Sequence, residues 1–157
     1  MKKITTVLIA LDYSSTTQKV AEIGYQFAKS MNAEIILLHV LSNPAYYAST
    51  VYDPIMGFGG FMNLNLMESS LLDNLKTTAQ LFLNKSKSHL ADETIQTIIE
   101  EGDVADCILE VAKNNKAGLI IMGSHSRKWL EQVLLGSTAE DVLHKTTLPL
   151  LIIPTKK

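Results

Sequence analysis

The chain has 157 residues, 46% hydrophobic, 19% charged and 6% aromatic, with a formal net charge of −2. That length suits one domain spanning 1–157 with a buried core, and 14 basic against 16 acidic residues argue against bulk-charge binding of nucleic acid. No apolar run reaches the ~20 residues of a membrane span, Met1–Ile9 is too short for a signal-peptide core, and the single Cys107 excludes an internal disulfide or cysteine zinc cage, so a reduced, soluble, cytoplasmic protein is expected.

Ile4–Leu11 (ITTVLIAL) is a short apolar run followed by Asp12-Tyr13-Ser14-Ser15. Ser15-Thr16-Thr17-Gln18 matches a capping box, so a helix is predicted there. Val20, Ile23, Phe27 and Met31 recur at helical steps and are expected on its buried face. Glu34–Leu41 (EIILLHVL) is too short for a typical helix and rich in branched residues, which predicts a second strand. Ser42 to about Asn65 carries Pro44, Pro54 and Gly57-Phe58-Gly59-Gly60 and is long for a loop, which marks it as a functional or mobile excursion.

From Glu68 to His89, the pattern Leu72, Leu75, Ala79, Phe82 with interspersed lysines predicts a long amphipathic helix. Thr94–Glu101 is a third strand and Gly102 a turn; Asp103 then caps a helix with Val104, Ile108, Val111 and Ala112 on one face. Leu119–Met122 is a fourth strand ending at Gly123, and Ser124–Leu135 a loop. Ser137-Thr138-Ala139-Glu140 forms a second capping box opening a helix with Val142 and Leu143. Leu148–Pro154 (LPLLIIP) is the last strand, with proline at both ends, where a missing ladder donor does least harm.

Five apolar runs without clean alternation, separated by four helical patterns, imply a parallel sheet covered by helices on both faces. A doubly wound α/β sheet is the leading topology, and ligands in such sheets bind at the carboxyl ends of the strands near the switch in strand order. That rule points to Asp12, Val40 and above all Gly123 onward.

The segment from Gly123 to Thr138 closes a strand on glycine, carries the chain's one arginine, Arg127, and meets a helix start at Gly136-Ser137-Thr138. A helix N-terminus presents unpaired amides and about half a positive charge, which suits a phosphate. The alternative is a capped helix after an ordinary loop. Arg127 and Lys128 either neutralise phosphates or are solvated, Trp129 folds the segment onto the domain, and Cys107 is expected as a small packed residue.

These blocks, VLIALDYS, ILLHV, IIMGSH, LLGSTAE and LPLLIIP in that order, resemble the universal stress protein family over essentially the whole chain. The family's nucleotide-binding members carry glycine, two residues, glycine, nine residues, then glycine with serine or threonine. Gly123, Gly136 and Ser137 fit that spacing, whereas Ser126 stands where the second glycine belongs. The resemblance implies a flavodoxin-like, adenine-nucleotide-alpha-hydrolase-like sheet of five parallel strands, usually dimeric, that in many members binds ATP, with Mg2+ as a companion. Position by position, it implies Asp12 at the ribose or adenine, and the Val40 backbone at the adenine edge with Ala10 lining that pocket. It puts Met122 and Gly123 beneath the ribose and phosphates, and Ser126, Gly136, Ser137 and Thr138 on the phosphate chain. Asp12 has a second available role, as a helix-start acceptor. At Ser126, a required positive φ costs on the order of 1 kcal/mol, although its hydroxyl can donate a hydrogen bond.

Other chemistries find less support. His39, His89, His125 and His144 lack metal-ligand spacing, His39 being expected as a packed or hydrogen-bonded residue, and there is no Walker A lysine or nucleophile elbow. No catalytic residue is assigned. The expected function is a regulatory ATP-binding protein of the stress response. It would act through protein partners and through a homodimer that pairs Leu148–Ile153 with its copy. The other readings are a nucleotide-free scaffold of the same family and a slow ATPase.

Overall fold

The computed structural model describes residues 3–42, 71–124 and 135–155. The 42–65 excursion beyond Ser42, and Ser126, Arg127, Lys128 and Trp129, lie outside the described residues. In chain order the elements are β1 (Thr6–Ala10), α1 (Thr17–Ser30), β2 (Glu34–Leu41) and α2 (Leu71–His89). They continue with β3 (Gln96–Glu101), α3 (Val104–Asn114), β4 (Leu119–Gly123), α4 (Ser137–Lys145) and β5 (Leu150–Ile153).

All four strand pairs are parallel, in the order β3-β2-β1-β4-β5. The predicted doubly wound α/β architecture is present, and the chain's direction of winding reverses at β1, which pairs β2 on one side and β4 on the other. The layers match the flavodoxin-like expectation, while the order is that of the first five strands of a dinucleotide-binding sheet. The three central strands are almost wholly buried and the two edges only partly, which is why the central ones read as continuous apolar runs.

Side chains alternate across the sheet and divide the core in two. Val7, Ile9, Leu37 and Ile121 pack with Val20 and Ala21 of α1 and with Leu75, Phe82 and Leu83 of α2. Leu8, Ile36, Leu38 and Ile120 pack on the other face with Ile108 and Val111 of α3 and Val142 of α4.

Of the face expected for α1, Val20 is buried and Ile23 and Met31 pack partly buried on the core, whereas Phe27 is 47% exposed; the fully buried positions are Thr17, Val20, Ala21, Gly24 and Ala28. Small residues make the contact: a Cβ on Gly24 would stand 3.0 Å from Ile9 Cδ1, so close approach to the sheet, rather than side-chain bulk, selects the face. Leu72 of α2 and Leu143 of α4 are exposed, whereas Leu75, Ala79 and Phe82 are buried as expected.

Asp103 caps α3 as predicted, its carboxylate accepting from Asp106 N at 3.0 Å. Gly102 precedes it at φ +139°, a backbone region suited to glycine. Neither capping box forms. Thr16, the N-cap of α1, makes no side-chain cap bond. The N-cap of α4 is Gly136, which places Ser137 inside the helix. The last strand begins at Leu150 rather than Leu148, because the Thr146 hydroxyl engages the Leu148 amide and carbonyl in a turn.

Asp92 anchors the start of β3. Its carboxylate accepts from the Thr94 hydroxyl at 2.5 Å and the Thr94 amide at 2.9 Å, then from Lys29 and Tyr25, each at 3.1 Å. These donors, Thr94 foremost, hold its pKa well below the ordinary 3.8. A depressed carboxylate contributes stability that is complete above its unfolded value and is lost as pH falls through the folded one. Acid titration of unfolding is therefore expected to show a fall in stability beginning below pH 3.8 that is shallower in Asp92→Asn. Equal slopes in the two proteins would rule out Asp92 as its source.

Candidate functional site

At the carboxyl ends of β1, β2 and β4 the chain opens a cleft of about 200 Å³. Its position is the one that the reversal in strand order leaves uncovered. Of the predicted residues, Ala10, Asp12, Val40, Met122, Gly123 and Thr138 line it. Gly136 and Ser137 sit beside Thr138 at the start of α4, outside its wall. Ser126 lies outside the described residues.

The inner wall is apolar, built from Ala10, Val40 and Met122 at the strand ends and Val104 and Ile108 on α3. The last two were placed in the sequence only as core residues. A helix turned by Gly102 straight after β3 returns its first two turns along the strand ends, so those turns wall the cleft as well as the core. Thr17, His39 and Ser42 are polar lining residues that the motif did not identify. For His39 the available signal was its place next to Val40 at the end of β2.

Asp12 follows β1 after one residue and organises the start of α1. Its carboxylate accepts from the Ser14 amide at 3.2 Å and the Thr17 hydroxyl at 3.0 Å, and the Thr17 hydroxyl also meets the Asp12 carbonyl. The helix-start role weighed for Asp12 is thus present, and Asp12 and Thr17 both line the cleft.

His39 is 2% exposed, with Nδ1 2.8 Å from the Leu11 carbonyl. A carbonyl only accepts, so Nδ1 carries the proton. Its ring lies 4.1 Å from the Tyr13 ring, and Phe82 closes on both edge-first at 4.9 and 5.4 Å. The packed, hydrogen-bonded role expected for His39 is the one observed, and it holds the β1 and β2 ends together behind the cleft.

The mouth is polar. The first turn of α4 has no side-chain cap, which leaves first-turn amides and the positive end of the helix without a side-chain acceptor, and Thr138 of that turn lines the cleft. Gly136 N donates to Ser124 O at 2.7 Å, and Gly136 O accepts the first helical bond from Glu140 at 2.9 Å. Cys107, on the α3 side, is partly buried with Sγ 3.6 Å from Glu101 O. Burial, and then the acidic side chains of Glu100, Glu110, Asp103 and Asp106, push its thiol pKa upward, as suits the packed role expected for it. Among the described residues no group of three or more His, Cys, Asp or Glu side chains is placed to hold a metal ion.

Residues 3–154 match the model of the universal stress protein family. The chain belongs to that family. Universal stress protein MJ0577 of Methanocaldococcus jannaschii is 29% identical over 96% of this chain and 94% of its own. Universal stress protein MJ0531 of the same organism is 30% identical over 96% and 82%. The solved structure of MJ0577 superposes with a TM-score of 0.73 at 25% identity, covering 99% of both chains. UspA of Lactobacillus plantarum gives a TM-score of 0.73 at 22% identity over 98% and 99%. A universal stress protein solved in complex with cAMP gives 0.65 at 17% over 99% and 100%. These last two likenesses speak for the family's fold.

Proposed function

We propose that this universal stress protein binds an adenine nucleotide, ATP foremost, as a regulatory ligand in the cleft between β1 and β4. The observation that carries the reading is the meeting of two unlike surfaces in one opening. An apolar slot of Ala10, Val40, Val104, Ile108 and Met122 suits a flat heterocycle, and the uncapped N-terminus of α4 beside it suits phosphate. Asp12, which also lines the cleft, would take the ribose hydroxyls. Gly136, Ser137 and Thr138, with Ser126 by sequence position, would hold the phosphate chain through amides and hydroxyls. The reading for magnesium is that it enters on the phosphates of the nucleotide, with no protein cage of its own.

In this reading ATP is a ligand rather than a substrate, the protein works in the cytoplasm, and its output is a change in what it binds. Among the described residues β5 is a partly buried sheet edge, and pairing with β5 of a second copy would cover it symmetrically. The motif's own weak point supports a second reading: Ser126 where nucleotide-binding relatives have glycine is consistent with a scaffold that works through protein partners alone.

Calorimetric titration with Mg-ATP is expected to saturate with a Kd below about 1 mM, and ATP at 100 times Kd to stabilise the fold by about 2.7 kcal/mol. Protein denatured after purification is expected to release adenine nucleotide. No released nucleotide and no heat at millimolar Mg-ATP would leave the scaffold reading. Binding regained in Ser126→Gly would then locate the fault at that residue.

A further inference from the structure

Ser124 is the first residue beyond the cleft-lining Gly123, and it is 7% exposed. Three parts of it are committed to three neighbours. Its amide donates to Ile153 O of β5 at 2.9 Å. Its Oγ accepts from the Thr155 amide at 3.0 Å and meets the Thr155 hydroxyl at 3.1 Å. Its carbonyl accepts from Gly136 N at 2.7 Å. Thr155 is equally buried, at 7% exposed, and the preceding Pro154 carbonyl is held by Lys19 Nζ of α1 at 2.7 Å.

This arrangement forms a chain of contacts running past the cleft. The stretch leaving β5 is fastened to α1 and to Ser124, and Ser124 in turn presents its carbonyl to the residue that opens α4. Holding the Ser124 amide and Oγ anchors its Cα, which leaves ψ as the one soft rotation between that anchor and the carbonyl that the Gly136 amide engages. We propose that Thr155 is a positioning residue for the mouth of the cleft: through Ser124 it holds the Gly136 backbone, and with it the N-terminus of α4. Its consequence for ligand affinity rests on the nucleotide reading above; the brace itself does not. Since β5 is a sheet edge, whatever pairs with that strand acts on the same brace, so the two sites share one mechanical element.

The test uses full-length Thr155→Val, which removes the hydroxyl while keeping shape and the backbone amide, and Thr155→Ser, which restores the hydroxyl. Thr155→Ala carries the same expectation if valine is not accommodated. Amide exchange at Gly136 is expected to quicken about 3- to 10-fold in the valine variant, as for the loss of one neutral hydrogen bond, and to return to wild type in the serine variant. The amides of Ile120 and Ile121 in β4 should keep their protection and so report an intact fold. ATP affinity should fall by a similar factor, about 3- to 10-fold, while adenosine, lacking phosphate, binds as before. Unchanged exchange at Gly136 would overturn the proposal, as would equal weakening of ATP and adenosine. Quickened exchange in a protein whose wild type takes up no ATP would defeat the nucleotide reading and leave the brace standing.

Discussion

Phe82→Ala is expected to lower the stability of the fold by about 3–5 kcal/mol. Phe82 is 1% exposed on α2, and its ring meets Tyr13 and His39 edge-first. Truncation removes its burial and both aromatic pairs, and leaves a void among Leu75, Ala79 and Leu83 that a helix packed on a sheet cannot collapse to fill. Total stabilities of such domains run to about 5–15 kcal/mol, so this one change consumes about a fifth or more of the margin. Urea unfolding should show the midpoint falling with little change of slope. Phe82→Leu, which keeps most of the volume, should cost less than about 1.5 kcal/mol. A loss below about 1 kcal/mol for the alanine variant would contradict the packing of α2 described above.

Asp12→Asn is expected to weaken ATP binding about tenfold, equivalent to about 1.4 kcal/mol, while leaving the melting temperature nearly unchanged. The amide keeps an acceptor oxygen for the Ser14 amide and the Thr17 hydroxyl, so the turn into α1 survives. What it loses is the charge that strengthens bonds from ribose hydroxyls, a difference of the size seen between charged and neutral acceptors. Asp12→Ala removes both functions and should also destabilise the protein by about 1 kcal/mol, as loss of a helix-start acceptor does. Calorimetry and thermal unfolding on the same pair separate the roles. If neither variant changes ATP affinity, Asp12 serves α1 alone.

The strands were legible because a parallel sheet buried on both sides demands unbroken apolar runs, and EIILLHVL and LIIM are written that way. Asp103 was legible because an aspartate after Gly102 has one local job. The orientation of α1 was not, since periodicity weighs bulk, whereas Ala21, Gly24 and Ala28 make the contact by being small. The two capping boxes failed differently. At α1 the helix begins one residue late, with Thr16 rather than Ser15 at the N-cap, and the Gln18 side-chain amide engages Glu22 and His89. At α4 a tertiary bond from Gly136 to Ser124 starts the helix one residue early, and a local pattern cannot register a distant carbonyl. In the site, the strand-end rule pointed to Asp12, Val40 and Gly123 and the family resemblance added Ala10 and Met122, and all five line the cleft. Val104 and Ile108 were found as core but not as wall, because one helix face serves both purposes.

The bond between Gly136 and Ser124 has a consequence for how such a site can change over generations. It pins together two points of the chain with the whole segment 125–135 between them. The entropy of closing a chain grows only with the logarithm of its length, about 0.6 kcal/mol for each doubling. Residues can therefore be inserted into or deleted from that segment at small thermodynamic cost, and the end of α4 keeps its place. Stability therefore sets little limit on the length of that segment, and the spacing that sets Ser126 between Gly123 and Gly136 is a demand of the proposed phosphate site instead.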